Sequence, residues 1–187
     1  YSTYFDDVTN LEPEATCSTT VQTHTNTCAN GTSTGREGMF FAFAVSTKSN
    51  KAYWYCKRYN GDTLSHHTFW NGISGLGSNV KRIIGSAVYQ PLEQQRYIYL
   101  FAQIVDENEE KIVYLKYDLE RQYWEAEYTP LELHTYCDKS NLTVVQSRQE
   151  SSPPKLVTIN RDHNHIISNA LDEKGKDLAP LLDTILK

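Results

Sequence analysis

Apolar and polar positions alternate along most of this chain in short runs, the period of a strand rather than of a helix. Met39–Val45 passes through polar Ser46–Lys51 into Ala52–Arg58, and Tyr59-Asn60-Gly61-Asp62 then supplies a turn. Aromatic and β-branched runs split by a polar turn predict a hairpin. The same order recurs as Ile83–Tyr89, the polar turn Gln90–Arg96, Tyr97–Gln103, the acidic turn Asp106–Glu110 and Ile112–Asp118. A third copy runs through Leu142–Gln146, a loop with Pro153-Pro154, Lys155–Arg161, Asp162–His165 and Ile166-Ile167. Upstream, CSTTVQTHTNTC keeps Thr19, Val21, Thr23, Thr25 and Thr27 on one side and predicts a further strand. Only the tail differs. Leu178, Leu181, Leu182 and Ile185 fall at helical spacing, with Asp177 as cap and Pro180 in the first turn, so a short C-terminal helix packed over the domain is expected.

Superposing Ala52–Arg58, Tyr97–Gln103 and Lys155–Arg161 puts the second copy 45 residues after the first and the third 58 later. Such spacing is that of propeller blades. Over 187 residues it gives about four, the smallest ring propellers usually form. Circular stacking would cover the two apolar faces each sheet leaves open. The expectation is a mainly β single domain, 1–187, propeller-like with about four blades and a short C-terminal helix. A β-trefoil and a lipocalin-like barrel are the alternatives. The stretch YIYLFAQIVDENEEKIVYLKYDLERQYWEAE resembles a kelch-type blade: an aromatic strand, an acidic turn, a second strand ending Tyr117-Asp118 and a last one carrying Trp124. It departs from that family at the paired glycines, where this chain has Ala102-Gln103. The resemblance implies a topology and no chemistry.

A formal charge of -5 with no basic run argues against a phosphate-backbone partner, and no apolar stretch approaches the ~20 residues of a bilayer crossing. The chain opens without Met and without the basic and apolar regions of a targeting peptide, which reads as a mature secreted product. Sequons at Asn30 and Asn141 and the even count of Cys17, Cys28, Cys56 and Cys137 lean the same way. If the strand from Cys17 to Cys28 is continuous, eleven steps of ~3.3 Å separate the two, and each must bridge to Cys56 or Cys137. A hairpin at His24–Asn26 would reverse that.

No G-x-S-x-G, H-E-x-x-H or P-loop is present. His66 and His67, being adjacent, would point to opposite faces of a strand, and Asp162-His163-Asn164-His165 suits a polar loop better than a metal site. Glu125 and Glu127 would share a strand face about 7 Å apart, as many surface pairs do. No catalytic residue, metal or cofactor is therefore expected. Thirteen Tyr, six Phe and three Trp suit protein interfaces and sugar stacking alike. A lectin would repeat its sugar residues in every blade, whereas Arg58, Gln103 and Arg161 differ at equivalent strand ends. The expected function is a secreted, non-enzymatic protein-binding domain, with a glycan-binding lectin as the alternative. It resembles the broad class of secreted microbial effectors, which implies virulence and inhibition of a host extracellular hydrolase such as a papain-like cysteine protease. The loops expected to meet the partner are Ser74-Gly75-Leu76-Gly77-Ser78-Asn79 and Ser151-Ser152-Pro153-Pro154, where Gly permits close approach and Pro restricts the unbound ensemble.

Overall fold

A computed structural model describes residues 17–27, 33–60, 63–64, 70–93, 95–131, 133, 139–146, 149–160, 165–171 and 177–185. All of its sheets are antiparallel. The first contains β1 (Cys17–Thr27), β2 (Ser33–Val45) and β3 (Ala52–Asn60), with β4 (Thr63–Leu64) and β5 (Asn71–Gly72) both paired to β3. The second contains β6 (Val80–Leu92), β7 (Gln95–Asp106) and β8 (Glu109–Asp118), with β9 (Tyr123–Trp124) and β10 (Thr129–Leu131) both paired to β8. The third runs β11 (Thr143–Val145), β12 (Lys155–Asn160), β13 (His165–Leu171), β14 (Asp177–Ile185).

Alternation explains how these sheets stack. On β7, Ile98, Leu100, Ala102 and Ile104 enter a core shared with Phe41, Phe43, Val45 and Ala52 of the first sheet, together with Val113, Leu115 and Tyr117 of β8. The intervening Tyr99 and Phe101 face the other way, with Ile112 and Tyr114, into a second core that holds Leu142 and Leu156 from the third segment. The second sheet is thus buried on both faces, as its near-continuous apolar strands require. Its first core is heavily aromatic: Phe41, Phe43, Trp54, Tyr117 and Trp124 meet with ring centroids 5.1–6.4 Å apart. Trp124 Nε1 is buried there with no hydrogen-bond partner among the described residues.

Among the described residues three meanders are present, and they form no closed propeller. Cys17, Val80 and Thr143 open the three sheets, so successive sheets begin 63 residues apart. Their first strands lie against one another, β1 and β11 each beside β6. In both earlier sheets the fourth position is split into two short pieces, β4 with β5 and β9 with β10. The superposition by sequence matched β3, the third strand of its sheet, to β7 and β12, the second strands of theirs. That slip of one strand produced the unequal spacings and the count of four. Close approach of β11 to β6 depends on Gly85, where a Cβ would lie 2.8 Å from Val144 Cγ2.

The expected C-terminal helix is instead strand β14. It pairs with β13 from His165↔Ile185 to Leu171↔Asp177, with register shifts at Ile166/Ile167 and Ser168/Ala170. Those irregularities break the period of two, so the leucines imitate helical spacing, and Pro180 sits on an edge strand, where a missing N–H is tolerated. An isolated helix of this length would also be marginal in water. Among the described residues no helix is long and apolar enough to cross a membrane.

Candidate functional site

The second sheet has two ends, and the loops singled out by sequence sit at opposite ones. Val80 pairs with Ile104 near the β7–β8 turn, while Leu92 pairs with Gln95 at the far end of β6. The Ser74–Asn79 loop joins the first end, since Val105 N donates to Asn79 O at 2.9 Å. The loop before Pro153 joins the second, since Gln90 N donates to Glu150 O at 2.7 Å. Ten residue steps at ~3.3 Å separate Val80 from Gln90, roughly 30 Å. The two loops therefore stand at opposite ends of β6.

At the first end three connections lie side by side. The β2–β3 turn is closed by Ser46 N donating to Lys51 O at 2.9 Å and Asn50 N to Ser46 O at 2.8 Å, with Asn50 at φ 52. Val80 N donates to Asn50 O at 2.8 Å, which locks this turn to the Ser74–Asn79 loop. Beyond it is the β7–β8 tip, where Glu107 and Asn108 at φ 50 and 65 make a two-residue loop between paired Asp106 and Glu109.

Ser74–Leu76 forms a single 3-10 turn ended by Gly77, whose N–H donates to Ser74 O at 3.0 Å and whose φ of 75 suits glycine. Gly75 and Leu76 are buried and Leu76 belongs to the first core. A Cβ on Gly75 would lie 2.7 Å from Glu125 O and 3.0 Å from both Leu115 methyls, so its close approach is to this protein's own β8 and the backbone just after β9. What the loop offers outward is Ser74, Gly77, Ser78 and Asn79, all exposed. Between this loop and β3 is a groove of about 490 Å³, lined by Lys51, Tyr53, Gly72, Ser74, Gly77 and Ser78 over a floor of buried Ala52 and Ile73. That volume lies within the ~300–1,000 Å³ of ligand sites. Sequence reading missed Lys51 and Tyr53. The available signal was the position of Lys51 as the last polar residue before an aromatic strand, and of Tyr53 as the alternate of the inward-facing Trp54.

Charge around the groove is uneven. Lys81 pairs with Glu110, Lys111 with Asp106 at 2.7 Å and Lys116 with Glu125 at 2.7 Å. Lys51, exposed at the groove, has no salt bridge among the described residues. At the neighbouring tip the Lys111 hydrogen bond, aided by Tyr128 Oη donating at 3.2 Å, holds the Asp106 carboxyl below its ordinary value. Buried Gln103 donates to Glu110 Oε2 at 2.7 Å and accepts from Arg82 Nε at 2.8 Å.

At the opposite end, Arg96 grips Glu150 with two hydrogen bonds of 2.7 Å and anchors the loop in which Pro153 is half-buried and Pro154 buried. Glu125 and Glu127 do not share a strand face. Glu125 leaves β9 and turns to Lys116, and Glu127 lies in a bend. His66, His67 and Asp162–Asn164 lie outside the described residues, among which no group of three or more His, Cys, Asp or Glu could hold a metal. Cys28, Cys137 and Asn30 also lie outside them. β1 is continuous from Cys17 to Thr27, with no hairpin at His24–Asn26. Cys17 opposes Phe43 and Cys56 opposes Phe41 across β2. Asn141 is exposed at the end of a 3-10 turn, Lys139–Asn141. No family model, curated protein or solved structure matches the chain.

Proposed function

We propose that this domain acts by binding a protein partner at the end of the second sheet formed by the β2–β3 turn, the Ser74–Asn79 loop and the β7–β8 tip. The observation that carries this reading is the groove of about 490 Å³ set between β3 and the Ser74–Asn79 loop, which backbone hydrogen bonds from Ile73 N to Ala52 O and from Val80 N to Asn50 O hold together. A surface organised before the partner arrives loses less entropy on binding. Its lining supplies an amine, a phenol and two hydroxyls, and among the described residues no carboxylate, imidazole or thiol lines it, which favours recognition over turnover. Secretion, the bridges and the sequon glycans belong to the same proposal, as does the narrower form in which the partner is a papain-like cysteine protease of a host. Incubating the chain with a panel of such proteases tests the narrower form: inhibition should rise with dose and weaken when Ser74→Arg crowds the groove. Undiminished protease activity, together with no captured partner sensitive to Ser74→Arg, would reject the binding reading.

A further inference from the structure

Resting on that binding reading, we infer that the groove takes an extended peptide segment of the partner and holds it through a carboxylate at Lys51. Three observations converge. Lys81, Lys111 and Lys116 each have a carboxylate partner, whereas Lys51 stands at the groove with no such pair among the described residues. In a chain of net charge -5, an ammonium left at a ready-made concavity is complementary to a single local anion. The acidic tip Asp106-Glu107-Asn108-Glu109 stands on the other side of the Ser74–Asn79 loop, to which Val105 N ties it. That field disfavours a polyanion and tolerates one carboxylate flanked by neutral or basic residues.

The shape points to a chain of amino acids. β5 has a strand on one edge only among the described residues, so an extended segment beside exposed Gly72 can add backbone hydrogen bonds. A Cβ at Gly72 would meet nothing within 4 Å, which leaves room there for a neighbouring backbone. Ser74 and Ser78 present hydroxyls along the opposite wall, and Tyr53 gives a broad partly buried surface for one side chain.

Panning a random heptapeptide phage library against the immobilised chain, then measuring the enriched peptides by fluorescence anisotropy, tests this. The expected peptides carry Asp or Glu at one fixed position. Their affinity should fall roughly tenfold in Lys51→Glu. It should fall similarly in Gly72→Leu, whose side chain enters open space and so leaves the urea midpoint near wild type. Lys155→Glu, the same charge change on an exposed residue of β12, should leave affinity within about twofold. Peptides blocked by Gly72→Leu yet indifferent to Lys51→Glu would overturn the carboxylate inference and leave groove binding standing. Equal losses in Lys51→Glu and Lys155→Glu, peptides without a fixed acidic position, or no enrichment at all would overturn it too. Peptides indifferent to both groove variants would sink it together with the binding reading.

Discussion

Gly72 and Gly75 stand three residues apart with opposite freedom. A methyl at Gly75 would strike the Glu125 carbonyl and both Leu115 methyls, while one at Gly72 meets nothing. Gly75→Ala should therefore cost about 1–3 kcal/mol, and Gly72→Ala should stay within about 0.5 kcal/mol of wild type, in urea unfolding followed by Trp fluorescence. A second prediction concerns Tyr99, whose phenol is pushed above its ordinary value of 10.0 first by burial and then by Tyr114 and Tyr89. A raised value means the folded state keeps the proton that the unfolded chain releases. Its stabilisation is complete below pH 10 and declines as pH rises beyond it, by at most about 1.4 kcal/mol per unit. Melts between pH 9 and 11.5 should show this fall, and Tyr99→Phe should make it shallower. None of this was legible in the chain: SGLGSN reads as an open, partner-facing loop because composition cannot show that Gly75 and Leu76 are committed inward.

Among the elements, the bidentate Arg96–Glu150 pair ties the loop before Pro153 to β7. The Arg96 side chain is only 13% exposed and Glu150 33%, so the pair is partly shielded from solvent. Glu150→Gln should cost about 1 kcal/mol and speed amide exchange at Gln90, whose N–H donates to the Glu150 carbonyl, while Val113 in the core remains protected. Strand positions themselves were legible, because alternation and turn residues mark β2, β3, β6, β7, β8 and β12 directly. Their place within each meander was not. Phe41 and Phe43 on β2 alternate in the same way as Tyr53 and Tyr55 on β3, so adjacent strands of one sheet look interchangeable to pattern matching. At β14 the failure has another cause, since bulges shift a strand's period locally and pairing with β13 overrides the apparent helical spacing.

For the molecule as a whole, three meanders opening 63 residues apart enclose a central sheet covered on both faces. On the proposed reading, recognition falls to the strand ends. The two ends differ: one carries a groove with a lysine that has no salt bridge among the described residues and an acidic tip, and the other a proline loop clamped by an ion pair. The chemistry of the first end was only half visible beforehand, because the Ser74–Ser78 wall is a sequence feature whereas the Lys51 and Tyr53 wall comes from another sheet. Binding at that end is the central claim. A photo-reactive phenylalanine derivative placed at Asn79, exposed on the same loop but outside the groove lining, compared with one at exposed Ser151 on the opposite end, tests it most directly in a protease panel or extracellular fluid. Adducts should form at Asn79, disappear in excess unlabelled chain and be absent at Ser151. Adducts confined to Ser151, or none at either position, would contradict the account.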